Sequence, residues 1–262
     1  MAAFIEIRDV EKRYATRSGS QVALRPTSLE IAAGEFVSIV GPSGCGKTTL
    51  MKIVAGLLPC TSGEVRMDGV PVQEPPDGVG IVFQTPTLLR WRTVLDNVLL
   101  PAAALRRPRA RYEPVARDLI RLVGLEGFAN HYPRELSGGM QQRVAISRAL
   151  LLEPRLLLMD EPFGALDAMT REEMNLELQR IWNEQPKTVL FITHSIDEAV
   201  FLSDRVVVMS PRPGRIARVL EIDLPRPRSV ELEFDERFRA YSHAIRSDIF
   251  APRTDREYAT LA

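Results

Sequence analysis

The sequence predicts an α/β fold: a sheet core carrying an amino-terminal antiparallel β subdomain and an inserted α-helical lobe. Three observations predict it. Short apolar runs at 35–40, 79–83, 155–159, 188–192 and 205–209 alternate with stretches of helical character, the pattern of a buried sheet in an α/β core. The run at 35–40 ends in a glycine-rich loop, Gly41 to Thr48, from which a helix starts. From Leu95 to Leu152 the pattern is helical throughout and punctuated by Pro101, Pro108, Pro114 and Pro133, which marks an insertion into the alternation.

Taken in order, Phe4 to Val10 and Gln21 to Ile31 read as strands around a polar turn at Arg17-Ser18-Gly19-Ser20. Gly34 precedes the strand Glu35 to Val40, and Lys47 to Leu57 follows the glycine loop as a helix. Ser62-Gly63-Glu64 to Asp68-Gly69 forms a short hairpin arm, and Val79 to Phe83 is a buried strand ending at Gln84. After the lobe, Arg155 to Met159 is a strand, Ala168 to Glu184 a helix and Thr188 to Ile192 a strand. Ser195 and Glu198 form a capping box that opens the helix ending at Leu202. Arg205 to Met209 and Ile216 to Ile222 are strands joined by the turn Ser210 to Arg215. Residues 1–225 are therefore expected to form one domain, with the lobe at about 88–153 inserted in it. Residues 226–262 are a short charged tail, helical over Glu236 to Phe250.

Composition narrows the class. The 262 residues are 45% hydrophobic, enough for a sizeable core, and 34 basic residues balance 34 acidic ones. No global field then favours nucleic acid or an anionic membrane, and no nucleic-acid partner is expected. The amino terminus reads as a strand without the apolar core of a signal peptide. The longest apolar stretch, Val98 to Leu105, contains Pro101 and is too short to span a bilayer. A membrane role would need a partner that supplies the spanning helices. Cys45 and Cys60 do not form a disulfide framework, and a reducing compartment suits them.

The chemistry starts at Gly41-Pro42-Ser43-Gly44-Cys45-Gly46-Lys47-Thr48, which matches G-x-x-x-x-G-K-[ST] and makes the core P-loop, or RecA-like, in type. Such a loop wraps its backbone N–H groups around phosphate oxygens, and the following helix points its positive end at the same anion. Lys47 would reach the terminal phosphates and the Thr48 hydroxyl would ligate Mg²⁺. Leu156 to Glu161 is an apolar strand ending in two acids at the edge where open α/β sheets bind ligands. Asp160 fits the Mg²⁺-binding acid, and Glu161 fits a base for the attacking water. Gln84 ends the strand Val79 to Phe83, and His194 follows the strand Thr188 to Ile192 by two residues at the same sheet edge: the amide could reach metal or water, and the imidazole the γ-phosphate. His131 and His243 have no such setting. Ser137-Gly138-Gly139, ahead of the helical run Met140 to Leu152, makes a second anion site. One polypeptide rarely needs two such devices for one nucleotide. Two copies facing head to tail would use both, each ATP lying between the loop of one and the Ser-Gly-Gly of the other.

These residues resemble a family. The phosphate loop, Gln84, Leu136 to Gln141, Leu156 to Glu161, Ala165-Leu166-Asp167 and His194 follow the order and approximate spacing of the nucleotide-binding subunits of ABC transporters, over residues 4 to about 222. The run Leu-Ser-Gly-Gly-Met-Gln-Gln-Arg from Leu136 is its most specific mark. The resemblance implies a head-to-tail dimer holding two ATP molecules, with a homodimer or a second ATPase subunit as partner. It assigns Gly41 to Thr49 to the phosphates; Thr48, Gln84 and Asp160 to Mg²⁺; Glu161 to the general base; His194 to a γ-phosphate switch. It assigns Ser137, Gly138, Gly139 and Gln141 to the partner's ATP, Asp167 to the loop crossing the interface, and Tyr14 to the adenine. A core tyrosine is the alternative at position 14.

Finer features are similar to the nitrate, sulfonate and taurine importer group. They are Leu88 to Val98, Phe163 to Arg171 and the turn Ser210 to Ile216, with Arg90 standing where that group usually shows proline. The resemblance implies an ATP-hydrolysing motor, peripheral on the cytoplasmic face of the inner (plasma) membrane, with Mg²⁺ as cofactor. The segment Leu88–Val98 would dock on the transmembrane permease subunits, and a solute-binding protein would complete the assembly. Trp91 is either a docking anchor or part of the lobe core. The alternative function is a soluble ABC-type ATPase acting as a nucleotide-gated interaction module. A small-molecule kinase would leave Leu136 to Gln141 without a purpose.

Overall fold

The computed structural model describes residues 3–16, 19–184 and 186–250. Arg17 and Ser18 of the first expected turn, and the last twelve residues of the tail, lie outside them. Two sheets organise the chain. The first has four antiparallel strands in the order β2-β1-β4-β5: β1 is Ala3–Thr16, β2 Gly19–Ala32, β4 Ser62–Met67 and β5 Val70–Pro71. The last two meet at a tight turn in which Asp68 and Gly69 both take positive φ.

The second sheet has six strands in the order β10-β9-β3-β8-β7-β6. Here β3 is Phe36–Val40, β6 Val79–Val82, β7 Leu156–Asp160, β8 Thr188–Ile192, β9 Arg205–Met209 and β10 Ile216–Glu221. All pair in parallel except β10, which returns antiparallel along β9. The parallel strands are near-continuous apolar runs because both faces of the sheet are covered. Alternate residues feed two cores. Phe36, Val40, Met159, Phe191 and Val208 join the face packed by the lobe and later helices. Val37, Ile39, Leu158, Ile192 and Val207 join the face under the first sheet and α1 (Lys47–Val54).

The helical stretch divides into α2 (Val94–Val98), α3 (Leu100–Ala104), α4 (Arg109–Leu122) and α5 (Gly138–Leu150). The prolines act differently from one another. Pro108 precedes α4 and Pro101 sits in the first turn of α3, but Pro114 lies inside α4 without ending it. Side-chain caps set two of the starts: Thr93 accepts from Asp96 N at 3.2 Å for α2, and Ser137 from Met140 N at 3.3 Å for α5.

Then come α6 (Ala168–Glu184), α7 (Ile196–Leu202) and α8 (Glu236–Phe250). The capping box expected at α7 is only half made. Ser195 Oγ accepts from Glu198 N at 3.3 Å, but the Glu198 carboxylate turns away to the Thr193 hydroxyl, and that hydroxyl accepts from Ser195 N at 2.9 Å. Thr193, the residue that follows β8, thus replaces the reciprocal arm.

The chain after β10 is stapled to the core by a buried arginine. Arg228 sends its guanidinium into the carbonyls of Val200, Phe201 and Ser203, at the carboxyl end of α7, and of Ile222 and Leu224. Its backbone is clasped by the Gln179 amide of α6. Burial lowers its pKa to about 10, so it remains protonated at neutral pH. The positive charge lies at the negative end of α7, where it is favoured. Removing the donors would leave several buried carbonyls unpaired. Arg228→Met is therefore expected to lower folding stability by about 3 kcal/mol, read as a lower urea midpoint at unchanged m-value.

Candidate functional site

The parallel strands β3, β6, β7 and β8 deliver their carboxyl ends to one edge of the sheet, and the expected chemistry gathers there. Loop 41–48 leaves β3 and enters α1. Gly46 is left-handed at φ +105°, and a Cβ there would stand 3.1 Å from Ala23 O, so this turn requires glycine. Lys47 is buried; its Nζ donates to the carbonyls of Gly41 (2.9 Å) and Pro42 (3.3 Å), which holds the ammonium inside the curl of the loop. The first N–H groups of α1 have no helical acceptor and face the same space. Cys45 is fully buried and burial raises its thiol pKa, so it fills space rather than reacts. Both cysteines are free thiols.

Thr48 Oγ1 donates to Asp160 Oδ1 at 3.0 Å, joining the start of α1 to the end of β7. Burial raises the Asp160 pKa against the Thr48 hydrogen bond, and the adjacent Glu161 charge adds to the rise. A desolvated carboxylate beside a hydroxyl suits a hard cation with phosphate and water as further ligands. Among the described residues no cluster of three His, Cys, Asp or Glu could hold a metal on its own. Glu161 takes φ +45°, an uncommon conformation outside glycine, and its N–H donates to Ile192 O at 2.8 Å. Two further expected residues meet its carboxylate: Gln84 Nε2 lies 3.4 Å and His194 Nδ1 3.5 Å from Glu161 Oε2. Three strands thus converge on one oxygen.

Between the loop and the first sheet lies a cleft of about 250 Å³, lined by Tyr14, Gln21, Ser43, Lys47, Thr48 and Arg212 among others. Tyr14 is 40% exposed and belongs to neither core; Lys12 Nζ stands over its ring at 5.4 Å. Arg212 was not singled out from the sequence. Its Nε donates to Gly44 O at 3.2 Å, from the turn that follows β9. That turn reaches the phosphate loop because β9 is the neighbour of β3, a strand order that no local pattern encodes.

Ser137 to Gln141 lies elsewhere. The cleft contains none of these residues, and among the described residues no hydrogen bond ties them to loop 41–48. Gly138 is open, while a Cβ on Gly139 would stand 2.7 Å from Thr170 Cγ2. Gln141 Nε2 donates to the carbonyls of Pro133 (3.1 Å) and Leu136 (3.3 Å), so this side chain holds its own loop. Asp167 accepts from Thr170 N (3.0 Å) and Thr170 Oγ1 (2.7 Å), starting α6; these bonds lower its pKa. The cleft volume is below the ~300–1,000 Å³ usual for ligand sites.

The segment after Gln84 is tied to the lobe. Arg148 of α5 donates to Pro86 O (2.8 Å) and Thr87 O (3.0 Å), and Gln142 to Phe83 O (3.4 Å). Further along, Asn97 is fully buried and bonds the backbone of Leu89, Arg92 and Thr93. This brace presents Trp91 at 74% exposure, so Trp91 is not part of the lobe core.

Comparison with known proteins gives the same pattern from three directions. The family model for the ABC transporter matches residues 24–164. An uncharacterized ABC transporter ATP-binding protein of Methanocaldococcus jannaschii is 46% identical over 250 residues, covering 95% of this chain and 94% of the relative. The aliphatic sulfonates import ATP-binding protein SsuB of Bacillus cereus is 43% identical, covering 90% and 92%. The taurine import ATP-binding protein TauB of Rhizobium johnstonii is 49% identical, covering 81% and 82%. Among solved structures, a dimeric post-hydrolysis ATP-binding cassette bound to ADP and Pi superimposes with a TM-score of 0.74 at 35% identity, covering 84% of this chain and all of that one.

Proposed function

The chain belongs to the ABC transporter family, as an ATP-binding subunit with ATPase activity, and from that premise we propose that it drives an importer of sulfonates, taurine, nitrate or a related small solute. The observation that carries the mechanism is the separation of loop 41–48 from the Ser137 segment. Loop 41–48 lies at the sheet edge, and the Ser137 segment lies outside its cleft. Two copies of the chain, head to tail, would place each ATP between the loop of one and Ser137, Gly138 and Gly139 of the other. The dimeric cassette with ADP and Pi supports this arrangement.

In this reading Tyr14 stacks on the adenine, and Gly41 to Thr49 with Arg212 surround the phosphates. Thr48 and Asp160, with Gln84, would hold Mg²⁺, which when bound offsets phosphate charge. Glu161 takes a proton from the attacking water, and its strained backbone aims it away from Asp160. His194 and Gln84, both at the Glu161 carboxylate, orient that base and register the terminal phosphate. Arg148 and Gln142 transmit movement of the Gln84 segment to α5, and so to the Ser137 end of the lobe. Gln141 acts by shaping its own loop. Loss of phosphate would remove the charge that holds two copies together.

Residues 1–225 form the ATP-binding domain, with the lobe at 88–153, and 226–262 the tail. No helix among the described residues is long and apolar enough to cross a membrane. In this reading the motor is peripheral, on the cytoplasmic face, and bound to permease subunits through Leu88–Val98, with a solute-binding protein on the far side. Exposed Trp91 on a braced loop suits an interface anchor. Affinity purification from detergent-solubilised membranes tests this. The wild-type subunit should retain a multi-span membrane protein, and Trp91→Ala should lose it about tenfold while the isolated subunit keeps its ATPase rate. A wild-type subunit recovered free of any membrane protein would remove the importer reading.

A further inference from the structure

The loop containing Asp167 and the loop containing His194 are joined inside one subunit by a polar chain that is buried at Glu198 and Thr193. Arg171, in the first turn of α6, donates from Nη2 to Leu166 O at 3.0 Å, and its N–H donates to Asp167 O at 3.0 Å. Its Nε stands 3.4 Å from Glu198 Oε1, an ion pair without hydrogen-bond geometry. The other oxygen of Glu198 accepts from the Thr193 hydroxyl, which in turn accepts from Ser195 N at 2.9 Å. Thr193 and Ser195 flank His194. Glu198 is 5% exposed and Thr193 2%. Burial raises the Glu198 pKa, whereas Arg171 and His194 favour its charged form.

From this geometry we infer that Glu198 is a positioning residue for ATP hydrolysis, which sets the His194 loop and the Asp167 loop in one register through Thr193 and Arg171. The inference rests on the site reading proposed above. A carboxylate this buried is costly unless its partners use it. An apolar residue would pack α7 against α6 equally well, but could not hold the Thr193 hydroxyl toward Ser195 N or the Arg171 guanidinium toward Leu166 O. The two loops do different jobs: one carries the residue at the Glu161 carboxylate, the other faces the second copy. The chain Leu166–Arg171–Glu198–Thr193–Ser195 gives formation of the dimer a route to the catalytic base within the same subunit. The loose Arg171–Glu198 contact is the joint at which the two loops can adjust.

Arg171→Gln, Glu198→Gln and the double variant test this by steady-state ATPase kinetics alongside thermal unfolding. Arg171 is partly exposed, so Arg171→Gln carries the test even if Glu198→Gln fails to fold. The expected result is a fall in kcat of about tenfold or more with KM for ATP within about twofold. The double variant should be no worse than the weaker single, and Arg171→Lys should recover part of the rate. Wild-type kcat in Arg171→Gln, or a loss of kcat that merely tracks a loss of thermal stability across all variants, overturns the inference. Glu161→Gln in the same assay separates the two ideas. If it is inactive while Arg171→Gln is normal, only the Glu198 link fails; if it turns over normally, the site reading and the link fail together.

Discussion

Glu161→Gln is expected to bind ATP and pair with a second copy, but to hydrolyse ATP at least about a hundredfold more slowly than wild type. The substitution keeps the shape of the side chain and its contacts with Gln84 and His194, both 3.4–3.5 Å from Oε2. It removes only the basicity. Glu161 differs from its neighbour in ways that matter here. Asp160 is buried and bonded to Thr48, whereas Glu161 turns out of the strand through a left-handed backbone. A glutamine adopts that backbone no less readily, so the fold should be unaffected. Size-exclusion chromatography with ATP should report a persistent dimer, and a phosphate-release assay the loss of turnover. Normal turnover would take Glu161 out of the role of base.

The second large effect concerns the two halves of the site. Lys47→Ala removes the ammonium held between the Gly41 and Pro42 carbonyls. A Ser137→Ala, Gly139→Ala double replacement removes the cap of α5 and forces a methyl to within 2.7 Å of Thr170 Cγ2. Each protein alone should lose at least about a hundredfold in ATPase rate, since every site in its homodimer has one damaged half. Mixed in equal amounts, they should regain activity. In a mixed pair one site combines the intact Lys47 of one chain with the intact Ser137 and Gly139 of the other; at most about a quarter of sites are restored. A titration of one variant into the other measures this. Failure of the mixture to exceed either variant alone, with mixed dimers present, would exclude a site shared between copies. Disturbance at Gly139 also reaches Asp167, because Thr170 is the residue that Asp167 caps.

Much of this was legible in sequence because the determinants are local. The bounds of α6, β8, β9 and α8 follow from apolar period and end signals, and Gly41 to Thr48 states its own chemistry through residue type and spacing. Gln84, Asp160, Glu161 and His194 could be placed at one edge since each follows a buried strand. Three things were not legible, and each depends on how side chains pack in the folded chain. Trp91 could have been lobe core or surface; the buried Asn97 brace decides that it is exposed. The Ser195–Glu198 capping box had the right spacing, yet Thr193 and Arg171 outcompete the cap for the Glu198 carboxylate once α6 packs beside α7. Arg212 enters the phosphate cleft only because β9 lies next to β3.

By itself, the sequence determined the fold class, the glycine-rich loop, the acids after β7 and the Ser137 start of α5, since short-range steric and hydrogen-bonding preferences fix those. Tertiary structure alone decided which of these groups meet. It brings Gln84 and His194 to one oxygen of Glu161, draws Glu198 away from its helix cap, and leaves Ser137 outside the cleft it would complete. Strand order and helix packing set those distances through burial spread over the whole core, and no window of residues contains that information.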